Sequence, residues 1–261
     1  MFVTVLGSSG CRYDYGNDTA SFLINNKIIV DTGWNLVENL LDLNLDPVNF
    51  RTVLFTHFHH DHYISLPQFL FYHDIYGTKM SELNFIGPGE DLQKVVSLAA
   101  DFLQVSRFYE ESEILTPKLT KIKSGENITL DFDCGEKLFI EAHKSIHPVD
   151  GRLYRVTDEK TGKITGFSGD TVVSLDEIEF FKDCDLLIHE CSLGGKKNYR
   201  NDNLYMHASA EEAAGIASAS GVKKLALAHY PEKLRDECFN AAKEKFSGEI
   251  LTPKKGDIIE V

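Results

Sequence analysis

The sequence predicts an α/β protein built as a four-layer αββα sandwich, two β-sheets packed face to face with helices on their outer surfaces. Three observations carry this. The chain has two β-rich halves, and each feeds segments of helical period. Runs such as Leu225-Ala226-Leu227-Ala228 do not alternate with polar residues, which implies strands covered on both faces. The length of 261 residues, 43% hydrophobic and 26% charged, supplies one full core without a linker-like stretch, so a single domain over 1–261 is expected.

In chain order, residues 2–6 form a first strand, and Gly7-Ser8-Ser9-Gly10 reads as the turn that ends it. Apolar runs at 20–24 and 27–30 flank Asn25-Asn26, residues that tolerate positive φ, and predict a tight hairpin. Trp34, Val37, Leu40 and Leu41 have helical spacing, and Pro47 separates that helix from a strand over 52–55. Residues 66–72 and 92–105 read as helices and 83–86 as a strand. The β-rich runs at 119–122, 128–130, 137–142, 153–156 and 163–167 are broken by Ser124-Gly125, Cys134-Gly135 and Thr161-Gly162. They predict a second, largely antiparallel sheet. Helices at 175–181, 210–218 and 232–246 then alternate with strands at 185–189 and 224–228, and strands at 249–251 and 257–261 close the chain.

The net charge of −13, from 27 basic and 40 acidic residues, argues against a broad surface that tracks nucleic-acid phosphates, although it leaves room for a local basic patch such as Lys196-Lys197 with Arg200. Cys11, Cys134, Cys184, Cys191 and Cys238 are odd in number and scattered, as expected of reduced thiols in a cytoplasmic protein. The first residues lack a basic leader, and no apolar segment reaches membrane-spanning length, so neither a signal peptide nor a membrane partner is expected.

The chemistry centres on Thr56-His57-Phe58-His59-His60-Asp61-His62, four imidazoles and a carboxylate directly behind a strand. Neutral nitrogen donors with one hard oxygen donor suit a zinc-type divalent ion. His57 and His59, two apart on extended backbone, point the same way, whereas the adjacent Asp61 and His62 should diverge; this suggests two ions side by side. Further donors stand just beyond strands: His147, Asp170 and His229. Asp31, at the end of the hairpin, either orients a metal-binding histidine or caps the following helix. His60, His73 and His143 are surplus to the ligand set.

The series His57-x-His59-x-Asp61-His62, His147, Phe167-Ser168-Gly169-Asp170-Thr171 and Leu227-Ala228-His229 resembles the metallo-β-lactamase-fold hydrolases over nearly the whole chain. The resemblance implies that His57, His59 and His147 hold one metal, that Asp61, His62 and His229 hold the other, and that Asp170 bridges them. Leu187-Ile188-His189-Glu190-Cys191-Ser192 and Met206-His207-Ala208-Ser209 are similar to segments of the ribonuclease Z branch, as is the spacing from His147 to Tyr154-Arg155. By that likeness Glu190 orients His207, a proton donor to the leaving oxygen. The residues alone also allow the bland readings, a strand-end surface acid for Glu190 and a neighbour of a helix cap for His207.

Departures from that branch bear on substrate. Its tRNA-binding arm is replaced by residues 157–163, which read as a plain hairpin; Asp31-Thr32-Gly33 lacks the Gly-Glu-rich continuation, and Leu153 stands where Gly is common. The expectation is therefore a dinuclear metal-dependent hydrolase, foremost a phosphodiesterase of a small or nucleotide-like substrate, with tRNA disfavoured. Two divalent ions are expected, zinc first, with manganese and iron compatible. Asp61 would both ligate and accept the proton of the attacking water. The alternatives are a carboxylic ester, lactone or thioester hydrolase, a mononuclear iron oxygenase on the same fold, or a noncatalytic metal-binding accessory protein. A homodimer is left open.

Overall fold

Two sheets pack against each other, and the polar ends of their strands converge on one edge of the sandwich. The structure, a computed structural model, describes residues 1–89, 91–104, 117–133, 135–196 and 203–261. The first sheet contains β1 (Phe2–Ser9), β2 (Asp18–Thr19), β3 (Ser21–Ile24), β4 (Ile28–Val30), β5 (Thr52–Leu54), β6 (Asn84–Gly87), β7 (Lys118–Lys121) and β15 (Ile258–Glu260). Its order is β15-β1-β3-β4-β5-β6-β7, with β2 beside β1. The second contains β8 (Asn127–Asp131), β9 (Lys137–Lys144), β10 (Arg152–Asp158), β11 (Ile164–Phe167), β12 (Leu186–Glu190), β13 (Lys224–Ala228) and β14 (Glu249–Leu251), in the order β14-β13-β12-β11-β10-β9-β8.

Strand periodicity builds the layers. Val3, Val5, Phe22, Ile24, Val30 and Leu54 face Ile140, Tyr154, Phe167, Ile188, Ala226 and Ala228 across the inner interface. Alternate residues Leu23, Ile29, Val53 and Phe85 face outward. They are covered by α1 (Leu36–Asp42), α3 (Leu66–Ile75) and α4 (Asp91–Phe102). On the far side Leu153, Leu187, Leu225 and Leu227 lie under α5 (Leu175–Phe180), α6 (Ala210–Ala219) and α7 (Arg235–Lys243). The four-layer αββα architecture is thus the one the sequence predicts.

Several details differ from the sequence reading. Strand β1 does not stop at Gly7 but runs to Ser9, because Gly7 admits β2: a Cβ there would lie 2.3 Å from the Thr19 carbonyl oxygen. Strand β7 belongs to the first sheet, parallel to β6, and β15 pairs with β1. The second sheet is mixed, antiparallel from β8 to β11 and parallel from β11 to β14. The predicted helix over 232–246 is a 3-10 turn, Glu232–Leu234, followed by α7. Asn25 and Asn26 adopt φ of 48° and 52° in the predicted β3–β4 hairpin, and β10 turns back into β11 through residues 159–163. Val105, Cys134, Lys197 and Arg200 lie outside the described residues. Among those described, Cys11, Cys184, Cys191 and Cys238 are free thiols, and no helix is long and apolar enough to cross a membrane.

Candidate metal centre

The first sheet delivers its donors through the exit of β5. The chain leaves the sheet at Phe55-Thr56, passes His57 and His59, and enters α2 (His60–Tyr63), which carries Asp61 and His62. This exit is tied to the second sheet: the Tyr154 hydroxyl donates to the Phe55 carbonyl at 2.8 Å, and the Arg152 N–H to that of Thr56 at 2.8 Å. His147 lies between β9 and β10, Asp170 follows β11, Glu190 ends β12, and His229 follows β13. Gly169, at φ 53°, brings Asp170 in; a Cβ there would sit 2.8 Å from the Thr56 Cβ. Asp31 and His229 also have left-handed backbone, φ 57° and 59°, a conformation that non-glycine residues keep only when their surroundings enforce it.

These side chains meet around one oxygen. Asp170 Oδ2 lies 3.6 Å from His57 Nε2, 3.5 Å from His62 Nε2, 3.6 Å from His229 Nε2 and 4.0 Å from His147 Nε2. Two groups flank it, His57, His59 and His147 with Asp170 on one side and Asp61, His62 and His229 on the other, each with donor atoms within 4.8 Å of one another. His147 Nε2 faces His59 Nδ1 at 2.9 Å, and His62 Nε2 faces His229 Nε2 at 3.3 Å. His57 Nε2 is buried with no hydrogen-bond partner among the described residues. Facing lone pairs, an orphaned buried nitrogen and carboxylates between them fit divalent cations, one in each group. Asp61 and His62 do not diverge: Asp61 Oδ2 is 3.7 Å from His62 Nε2. The reason is the backbone, which coils into α2 here where extended chain would have separated them.

The second nitrogen of four of these rings is anchored. His62 Nδ1 donates to Asp31 Oδ2 at 2.8 Å. His57 Nδ1 donates to Thr56 Oγ1 at 3.1 Å, whose own proton goes to Asp31 Oδ2 at 2.6 Å. His147 Nδ1 donates to the Met206 carbonyl at 3.2 Å, and His229 Nδ1 to Ser192 Oγ at 2.6 Å. With Nδ1 protonated in each, the Nε2 lone pair is left for the cluster. His59 is reversed and offers Nδ1. Asp31 therefore orients a histidine and does not cap α1, whose preceding Asn35 N–H donates to Asp18 Oδ2 at 2.7 Å. Thr56, Ser192 and the Met206 carbonyl were not singled out from sequence. A hydroxyl directly before His57, and another two residues after Glu190, were the available signals.

Burial pushes His57, His59 and His147 below the ordinary imidazole range, toward the neutral form that ligates. Burial also opposes charge on His62, but Asp170 and Asp31 outweigh it and raise its pKa. Burial pushes Asp31 up against the pull of His62. Asp170 and Asp61 are buried, which opposes their charge, yet the imidazoles around them hold both below the carboxylate range, Asp170 by His229, His62 and His57 and Asp61 by His229 and His62.

Glu190 is a buried acid and not a surface one. Its Oε1 accepts from His207 Nδ1 at 2.8 Å and from the N–H groups of Thr171 and Ala208 at 3.0 and 3.2 Å. Oε2 accepts from the N–H and hydroxyl of Ser192 at 2.9 and 2.8 Å. His207 Nδ1 is 3.8 Å from Asp170 Oδ2, while the cap of α6 is made by Ser209, which accepts from Glu212 N–H. Burial pulls the His207 pKa down, but Glu190, helped by Asp170, pushes it up to about 9. Among the surplus histidines, His60 has a side chain 59% exposed and stands edge-on to Trp34. His73 Nε2 donates to the Phe50 carbonyl, and His143 stacks on Phe180.

Ribonuclease Z of Picrophilus torridus is 25% identical, over 96% of this chain and 93% of its own length. The metallo-β-lactamase fold protein YhfI from Bacillus subtilis superposes with a TM-score of 0.79 at 24% identity, covering 100% of this chain and 99% of the other. The short form of human tRNase Z does so with a TM-score of 0.74 at 17% identity, covering 100% and 99%. The chain is a metallo-hydrolase of the β-lactamase superfamily, similar to ribonuclease Z over nearly its whole length. Since the sequence profile described as Anti-Pycsar protein Apyc1 matches residues 3–249, the chain belongs to that family.

Proposed function

We propose that this protein is a dinuclear metal-dependent phosphodiesterase acting on a small or nucleotide-like substrate. The observation that carries the reading is the juxtaposition of Asp170 Oδ2, central to imidazoles of both sheets, with the His207–Glu190 pair 3.8 Å away. His57, His59 and His147 would hold one ion, Asp61, His62 and His229 the other, and Asp170 would lie between them. Divalent ions held there supply Lewis acidity toward a phosphoryl oxygen and a nucleophile at neutral pH.

The chain's own groups do the proton work. Asp61 uses Oδ2 toward His229, leaving Oδ1 to accept the proton of the attacking water. His207 is held at Nδ1 by Glu190 and is protonated at neutral pH, so its free edge delivers a proton to the leaving oxygen. Three backbone N–H groups fix Glu190, so the acid keeps its aim. The short β10–β11 turn and the net charge of −13 favour a small substrate over tRNA. The second donor group favours this reading over a mononuclear oxygenase, and the full set of seven donors favours an enzyme over an accessory protein. Cytoplasmic location fits the scattered free thiols.

Metal analysis of purified protein, with a panel of phosphodiester, phosphomonoester, lactone and thioester substrates, tests the proposal. About two ions per chain and turnover of phosphodiesters are expected. Turnover of lactones or thioesters alone overturns the phosphodiesterase reading; full metal occupancy without any turnover favours the accessory role.

A further inference from the structure

His207 and His229 arrive on different loops, one before α6 and one after β13, yet a single short chain of hydrogen bonds joins them. Ser192 Oγ lies 2.6 Å from His229 Nδ1, 2.8 Å from Glu190 Oε2 and 2.9 Å from the His229 carbonyl oxygen. The carboxylate and the carbonyl can only accept, so the one hydroxyl proton goes to them and the oxygen receives the His229 Nδ1 proton. The other oxygen of the same carboxylate holds His207.

We infer that Ser192 is a positioning residue through which the carboxylate that aims the acid His207 also sets the orientation of His229, and with it the affinity of the Asp61, His62 and His229 site for its ion. The inference rests on the two-ion reading. It assigns the dependence to one site only, because the other is anchored differently, His57 by Thr56 and His147 by the Met206 carbonyl. Loss of the hydroxyl leaves Glu190 held by Thr171, Ala208 and the Ser192 N–H. His207 therefore keeps its partner, while His229 Nδ1 loses its own.

The test is a titration of metal-free protein with zinc, in competition with a chromophoric chelator, on wild type, Ser192→Ala and Ser192→Thr. Wild type should bind two ions. Ser192→Ala should weaken one of them about 10- to 100-fold, the range for losing a group that orients a ligand, and leave the other unchanged. Ser192→Thr, which restores a hydroxyl, should return the weakened constant toward wild type. If the alanine variant does not fold, Ser192→Cys, close in size with a poor acceptor, should weaken the same site. Equal weakening of both ions, unchanged constants, or a threonine variant no better than alanine overturns the inference alone. A wild-type chain that takes up fewer than two ions overturns the two-ion reading and this inference together.

Discussion

Asp31 and Glu190 are built alike, one at the end of a strand in each sheet. Each carboxylate takes one imidazole directly, His62 or His207, and a second through a hydroxyl, His57 by way of Thr56 or His229 by way of Ser192. They differ in their backbone anchors: one N–H, from Thr56, reaches Asp31, and three reach Glu190. They also differ in what they hold. Both rings on Asp31 face the cluster, whereas Glu190 holds His229 through Ser192 and also His207, the ring proposed to transfer a proton. On the proposed function, one device would orient three ligand rings, His62, His57 and His229, and position one acid, His207, and the extra anchors fall where aim matters more than basicity.

Removing the group between the two clamps should do most damage. Asp170→Ala is expected to release or loosen both ions and to lower phosphodiesterase activity about 10³-fold or more, given that metal ions supply several kcal/mol to such reactions. Metal analysis and turnover on the same sample check this; full metal content with full activity would show that Asp170 joins no metal site.

The clamps themselves should then fail differently. Asp31→Asn should loosen both groups of donors, since Thr56 and His62 feed one each. Glu190→Gln should cost about 10²- to 10⁴-fold on esters with poor leaving groups and much less on nitrophenyl esters, which leave without a proton. Equal losses on the two ester types would remove His207 from the acid role.

The acid clamp should also show a pH signature that the Asp31 clamp lacks. The His207 pKa of about 9 is raised above the ordinary value near 6.5, so the protonated form dominates below 9. Turnover of poor leaving groups should fall about tenfold per pH unit above that point, while nitrophenyl esters stay level. The same shift contributes folding stability that is complete below about pH 6.5 and lost as pH rises through 9. The stability difference between wild type and His207→Gln should shrink across that interval in thermal unfolding of metal-free protein.

Much of this was legible along the chain because the donors sit at strand ends, where an apolar run stops and a polar residue must follow. His229 after Leu225-Ala226-Leu227-Ala228 is such a case, and so is the Asn25-Asn26 turn. What was not legible depends on partners remote in sequence. That β7 joins the first sheet is fixed by β6, and nothing local in Lys118–Lys121 encodes it. Asp31 stayed ambiguous because its role is decided by Asp18, which serves the N–H before α1, and by His62, 31 residues on. The hydroxyls of Thr56 and Ser192 look like any others until Asp31 and Glu190 are beside them.

The smallest effect expected separates the hydroxyl of Thr56 from its methyl group. Thr56→Ser keeps the oxygen that receives the His57 proton and bonds Asp31, so metal content and activity should stay near wild type. It removes a buried methyl that packs on the Gly169 turn, where a built Cβ would be 3.3 Å from Thr56 Cγ2. A loss of about 1 kcal/mol is expected for one buried methyl, visible in urea unfolding as a lower midpoint with an unchanged slope. Thr56→Val, which keeps the shape and deletes the hydroxyl, should do the reverse to metal binding: His57 Nδ1 loses its acceptor and Asp31 a donor. If serine weakens metal binding as much as valine, shape rather than the hydrogen bond holds His57, and the likeness between the two clamps would not extend to their hydroxyls.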